Sequence, residues 1–220
     1  MKIIDCEQGT PQWVEARLGI PTASRFDKII TPKTLQLSKS ADMLICQLIA
    51  EKLLGQFQDS EESDWMNRGS NLEDIAADDY AFSQDVDLKR VGFITTDDGL
   101  IGCSPDRLIV GRNAGLEIKN PSAHVHISYM LDPNSLFEKY KCQVLGSLWI
   151  TRFDYWDLMS YHPYLPRVVV TCMSDDLYYD AVDKAMYDHG GFLDRYREAS
   201  AKITTITQTK EIRDRLVRSA

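Results

Sequence analysis

No apolar run in this chain approaches the ~20 residues that a membrane-spanning helix requires, so a membrane partner is not expected. The opening residues, Met-Lys-Ile-Ile-Asp-Cys-Glu, lack the apolar segment of a secretory signal, which makes the cytoplasm the expected compartment. The five cysteines (6, 46, 103, 142 and 172) are odd in number, far apart and without a CxxC pair. That excludes a disulfide framework and a thiolate zinc site, and leaves small core residues in a reduced compartment. Repeats and low-complexity tracts are absent, which excludes solenoids and fibrous arrays. A basic excess is missing too: the formal charge is −8, against the footprint of a simple nucleic-acid binder. Charge is uneven, however. Residues 57–106 hold most of the acid excess, while Arg195 to Arg218 is net basic.

What is present is ordinary for a soluble enzyme: 220 residues, 44% apolar and 26% charged. The length suits a single domain over 1–220. Its parts are a helical N-terminal portion (about 1–85), a sheet with helices (about 86–200) and a polar helical tail (about 201–220). Helices are expected over Pro11–Leu18, from a Thr22 cap to Ile30, and over Ala41–Leu54 with Met43, Leu44, Leu48 and Leu53 as the apolar set. An acidic loop, Asp59 to Asp64, then leads to a helix through Phe82 with Leu72, Ile75, Ala76 and Tyr80 as its buried stripe. Short β-like runs follow at 88–95, 100–104, 106–110 and 114–119, separated by turn signals at Asp98-Gly99 and Asn113-Ala-Gly115. Beyond them are helices over Pro121–Met130 and Ser135–Ile150, strands at Tyr155–Tyr161 and Arg167–Met173, and one long helix from about Asp175 to Ala199. The class is α/β, a mixed central sheet flanked by helices.

The chemistry concentrates in Gly102 to Pro121. Asp106 stands at the edge of an apolar strand, and the return strand presents Glu117 and Lys119. Side chains alternate along a strand, so residues 117 and 119 share a face and Ile118 points away. Burying charges without partners costs several kcal/mol. A divalent metal would supply the missing positive charge, and a phosphate would explain the lysine. An ion-paired surface hairpin is the plain alternative. A third acid, Glu73, falls in the first turns of a helix, where the helix dipole alone would also favour it. Asp74, Asp78 and Asp79 read as that helix's solvated face. His124-x-His126 has ligand-like spacing for a strand but lies in an expected helix, where i and i+2 diverge. Trp149, Trp156 and Phe153 read as core.

Four blocks together carry a resemblance. They are Gln8-Gly-Thr-x-x-Trp13 through Arg17-Leu-Gly-x-x-Thr22-Ala-Ser24; Gly69-x-x-x-Glu73; Cys103-Ser-Pro-Asp106 with Gly115-Leu-Glu-Ile-Lys119-x-Pro121; and Gln143-Val with Leu148-Trp-Ile-Thr-Arg152. In this order they resemble the phage lambda exonuclease and YqaJ-type viral recombinase family of the PD-(D/E)xK nuclease superfamily. The resemblance implies a restriction-endonuclease-like core. It also implies a Mg²⁺-dependent, processive 5′→3′ exonuclease on double-stranded DNA ends that leaves 3′ tails for single-strand-annealing recombination. Metal would be held by Asp106, Glu117, the Ile118 carbonyl and Glu73, with two Mg²⁺ ions per site and Mn²⁺ as a substitute. Lys119 would orient or deprotonate the attacking water. Arg17, Ser24, Ser104 and Gln143 would grip the 5′ phosphate, and Met66 would be a wedge between strands. Arg107 follows Asp106 where relatives often have a small residue. The implied partners are a single-strand annealing protein and two further copies in a ring-shaped homotrimer. The implied setting is the cytoplasm of a bacterial host, with a phage or prophage gene. A Cas4-like iron–sulfur nuclease is disfavoured by the cysteine spacing. A catalytically inactive DNA-end-binding module is disfavoured because every candidate ligand is present.

Overall fold

The computed structural model describes residues 1–58 and 71–218, with Asn71 and residues 209–218 as backbone only. Five strands form the main sheet in the order β2 (Leu88–Lys89), β5 (Arg107–Ile109), β6 (Ala114–Lys119), β7 (Tyr155–His162) and β8 (Leu165–Met173). Within this sheet, among the described residues, only β6 and β7 pair in parallel. A parallel pair needs a crossover rather than a hairpin, and here it consists of α5 (Ala123–Leu131) and α6 (Pro133–Thr151). The Asp132 side chain caps α6 by accepting from Asn134 N–H, and Pro133 sits at its first turn, where no backbone N–H is needed.

A second sheet of three strands has the order β1 (Lys2–Ile4), β3 (Phe93–Thr95), β4 (Gly102–Cys103). The single run expected at 88–95 is therefore broken between two sheets. The break falls where the N-terminal segment crosses: a Cβ on Gly92 would stand 2.1 Å from the Cys6 carbonyl oxygen. The short strand β1 is not expected from the sequence, and its pairing with β3 supplies the partner that the local residues do not reveal.

The remaining helices among the described residues are α1 (Pro11–Arg17), α2 (Phe26–Ile29), α3 (Ala41–Leu54), α4 (Asn71–Gln84), α7 (Asp176–Tyr187) and α8 (Phe192–Arg218). Two expected helices are divided. Residues 23–25 form a 3-10 turn before α2. The long C-terminal helix breaks between α7 and α8, where Gly190 takes a positive φ of 76° and Phe192 is fully buried. The apolar stripes also turn relative to expectation. Met43, Leu53 and Ile75 are exposed, whereas Ala41, Leu44, Ile45, Leu48 and Ile49 of α3 are buried.

The two faces of β6 separate two cores. Ala114, Leu116 and Ile118 pack with Ala76, Ala77 and Tyr80 of α4. The opposite face carries Gly115, Glu117 and Lys119. On that side Trp156, Leu158 and the buried residues of α6 join a larger core that includes Phe26, Leu44 and Leu48. Strand β6 is buried from Ala114 to Ile118, so a carboxylate and a lysine on it must find partners.

Candidate active site

Extending the Arg107–Leu116 register by one residue places Asp106 opposite Glu117. Both are nearly inaccessible, at 5% and 4% exposure. Asp106 Oδ2 accepts the Ile118 N–H at 2.6 Å. Lys119 Nζ donates to Glu117 Oε1 at 2.7 Å and to Gln143 Oε1 at 3.1 Å. Gln143 Nε2 in turn donates to Glu117 Oε1 at 2.6 Å, which fixes the orientation of its amide. The Lys119 ammonium also stands 4.7 Å from the Tyr140 ring centroid. Helix α6 lies over this face of β6 and delivers Gln143 one turn after Tyr140.

Burial pushes the Asp106 carboxyl well above the ordinary carboxylate range, and the neighbouring Glu117 and Glu73 carboxylates add to the shift; Lys119 and the Ile118 N–H oppose it. Burial works to lower Lys119 but is outweighed by Glu117 and Asp106, so its net shift is upward. Lys119 thus carries its proton in this arrangement. Two buried acids held against each other with only one lysine between them are short of positive charge. Their oxygen donors suit a hard divalent cation such as Mg²⁺ or Mn²⁺.

A second cluster adjoins the first. Arg17, at the end of α1 and 7% exposed, donates from Nη1 to Ser104 Oγ at 2.7 Å. Its guanidinium carbon lies 4.3 Å from the Trp13 ring centroid. Trp13 Nε1 donates to the Gly92 carbonyl at 3.0 Å and reaches Ser104 Oγ at 3.1 Å. Gln8 Nε2 bonds the Val91 and Pro105 carbonyls, tying the N-terminal segment to the loop between Cys103 and Asp106. Ser24 is exposed and shares a 3.0 Å hydrogen bond with Thr22. Arg25 beside it is buried against Glu51 at 2.8 Å.

One cavity of about 370 Å³ joins the two clusters. Its walls include Arg17, Ser24, Ser104 and Gln143, together with Asp106, Glu117 and Lys119. Residues more than a hundred positions apart in sequence thus line a single space.

Glu73 does not line that cavity. Arg107, opposite Leu116 and hence on the α4 face of β5, is buried and donates from Nη1 to Glu73 Oε1 at 2.7 Å. It also bonds Asp74 and the Asp106 carbonyl. Among the described residues no three acid, histidine or cysteine side chains converge closely enough to enclose a metal ion. The sequence marks Arg107 only as a departure from relatives and does not reveal it as the partner of Glu73. An arginine opening an apolar run directly after a candidate metal ligand is the available signal. Asp74 and Asp79 are not simply solvated, since Asp74 pairs with Arg107 and Arg90 and Asp79 with Arg167. Met66 lies outside the described residues. His126 is fully buried, with Nε2 donating to the Pro166 carbonyl at 2.9 Å and Nδ1 against Ser160 Oγ at 2.7 Å. Both ring nitrogens are occupied by the fold.

The YqaJ-like viral recombinase domain matches residues 12–154. The chain belongs to this family. The matched span runs from α1 to the end of α6 and contains every residue of the cavity wall named above. Among solved structures, the YqaJ-like chain is similar to LHK-Exo in complex with dAMP, at 25% identity and a TM-score of 0.75 over 91% of this chain and 99% of that one. It is also similar to the alkaline exonuclease LHK-Exo of Laribacter hongkongensis (24%, TM-score 0.73, again 91% and 99%). A phage-related exonuclease of Haemophilus somnus 129PT shares the fold at 13% identity (TM-score 0.63, 86% and 96%). No curated protein sequence gives a significant match. The α/β class, with a mixed sheet between helices, is that of these exonuclease structures. No described helix of this YqaJ-like chain is long and apolar enough to cross a membrane.

Proposed function

We propose that this chain is a Mg²⁺-dependent, processive 5′→3′ exonuclease acting on double-stranded DNA ends and leaving 3′ single-stranded tails for annealing. The observation that carries this reading is the shared cavity: a buried carboxylate pair with a lysine at one end, and an arginine–serine pair at the other. In this reading Asp106, Glu117 and the Ile118 carbonyl hold the metal, with Glu73 as an outer contributor. When bound, divalent ions supply Lewis acidity to the attacking and leaving oxygens of an in-line displacement.

The protein's own groups do the rest. Arg17 presents a fixed fork of donors to a terminal phosphate, and Ser104, already bonded to it, adds a hydroxyl. Ser24 and Gln143 border the same space, so a 5′ phosphate held there sets the scissile bond one nucleotide inward, toward Asp106. Lys119, bonded to Glu117 and Gln143, stabilises developing negative charge and orients the water. The similar nuclease LHK-Exo forms a complex with dAMP, which is consistent with mononucleotide release.

A ring-shaped homotrimer accounts for processivity in a chain of charge −8, because a closed ring retains duplex by topology rather than by affinity. A single-strand annealing protein is the partner for the emerging tail, in the cytoplasm of a phage-bearing bacterium. The deciding experiment digests linear duplex labelled separately at each end, with Mg²⁺, with Mn²⁺ and with chelator. Metal-dependent early release of 5′ label as mononucleotide supports the reading. Release from the 3′ end, or internal cleavage, refutes it.

A further inference from the structure

Asp106 and Arg107 are neighbours in sequence but belong to opposite faces of the sheet. Asp106 faces Glu117 and the cavity, and Arg107 faces α4. The Arg107 side chain is only 6% exposed. One nitrogen bonds both Glu73 Oε1 and the Asp106 main-chain carbonyl, and the other bonds Asp74. A single guanidinium thus fastens the first turn of α4 to the residue that begins the catalytic strand. Without it, Glu73 would lose the ion pair that holds it beside the Asp106 main chain.

We propose that Arg107 is a positioning residue for Glu73, holding one carboxylate oxygen so that the other is offered to a divalent cation at the Asp106–Glu117 pair. The inference rests on the metal-dependent reading given above. A carboxylate has about four acceptor positions, so a contact through Oε1 leaves Oε2 free. Partners that orient a ligand from behind typically govern metal affinity by about 10–100-fold. Arg107 touches neither DNA nor the attacking water in this scheme, so its loss weakens metal binding before it weakens chemistry.

The test counts bound Mn²⁺ by electron paramagnetic resonance, without DNA, for the wild type, Arg107→Gln, Arg107→Lys, Glu73→Gln and the double variant Arg107→Gln/Glu73→Gln. The expected result is about tenfold or greater weakening in Arg107→Gln and a similar loss in Glu73→Gln. The double variant should be no worse than Glu73→Gln alone, because coupled residues are not additive. Arg107→Lys keeps the charge but not the three-way grip and should fall between, which keeps the test decisive if Arg107→Gln fails to fold. In DNA digestion, the Mn²⁺ concentration for half-maximal rate should rise in parallel, and the kcat of Arg107→Gln and Arg107→Lys at saturating metal should stay within a few-fold of the wild type. Wild-type affinity in folded Arg107→Gln and Arg107→Lys, or independent losses that multiply in the double variant, would overturn the proposal. Failure of the wild type to bind Mn²⁺ at all would instead strike the metal-dependent reading itself.

Discussion

Arg17 donates to Ser104 Oγ at 2.7 Å across a separation of 87 residues, and Ser104 stands two residues before Asp106. The end of α1 is therefore linked through one hydroxyl to the strand that carries the candidate metal ligand. A group bound by Arg17 has its position relative to Asp106 set by this link. Arg17→Ala removes the fork of donors, and a charge-assisted hydrogen bond contributes about 1.5–3 kcal/mol. The expected loss is about 10–100-fold in kcat/KM on 5′-phosphorylated duplex, with little change on 5′-hydroxyl duplex. Initial rates on the two substrates check it; equal losses on both would remove Arg17 from phosphate recognition.

Lys119 is bonded to Glu117 and Gln143 and lies above Tyr140. Replacing it with methionine keeps much of its bulk and deletes the charge. A positioned proton-bearing group contributes typically about 10²–10⁴-fold, so Lys119→Met should lower kcat by about that factor while leaving duplex affinity nearly unchanged. Gln143→Ala should cost less, since the Lys119–Glu117 pair survives it. Single-turnover digestion and filter binding separate the two effects. Near-wild-type kcat in Lys119→Met would remove the lysine from the chemistry.

The candidate site is more legible in the sequence than the fold around it. Glu117 and Lys119 stand two apart on one strand, so their shared face follows from spacing alone; Asp106 joins them through the register of β5 and β6. Arg17, Ser24 and Gln143 reach the same cavity only through tertiary packing, and nothing in their immediate neighbours indicates it; the family resemblance groups them. The division of residues 88–95 between two sheets depends on β1, which pairs with a strand about ninety residues away. Strands of two or three residues carry too little periodicity to be separated from one longer run. The break before Phe192 is set by tertiary contacts that bury that residue, although Gly190-Gly191 marks it locally. Arg107 shows the opposite failure. Its charge is visible, but its partners come from α4, on the far face of the sheet.

Asp106 and Glu117 face each other in the buried interior with a deficit of positive charge, which favours the folded protein only when a cation is present. A ligand that binds only the folded state stabilises it by about 2.7 kcal/mol at a hundredfold excess over its dissociation constant. About 2–4 °C per kcal/mol is usual for chains of this size, so saturating Mg²⁺ should raise the Tm by roughly 5–10 °C. Asp106→Asn should raise the Tm of the metal-free protein, abolish the Mg²⁺-dependent rise and abolish nuclease activity. Thermal melts with Mg²⁺ and with chelator test this. An undiminished Mg²⁺ shift in Asp106→Asn would exclude Asp106 as a ligand.

Tyr80 and Asp157 fasten α4 further along its length. The Tyr80 hydroxyl donates to Asp157 Oδ2, and Thr171 Oγ1 donates to Oδ1 at 2.6 Å. Asp157 is 6% exposed, and it pairs with Leu116 across the β6–β7 ladder. Its charge is therefore satisfied by two hydroxyls that join α4, β7 and β8. Tyr80→Phe keeps the ring packing among Ala76, Ala77 and Leu116 but leaves one carboxylate oxygen without this donor. Losing a hydrogen bond to a buried charged group costs about 1.5–3 kcal/mol, or roughly 3–12 °C in Tm. The Tyr80 anchor lies about two turns from Glu73, and α4 keeps its Arg107 clamp, so the nuclease rate below the melting transition should stay within about twofold of the wild type. The Asp157→Asn background should absorb most of the Tyr80→Phe effect, because a neutral amide has less to lose than a carboxylate. Melts of the two single variants and the double variant give the coupling directly. Additive losses would show that the Tyr80 hydroxyl does not act through Asp157.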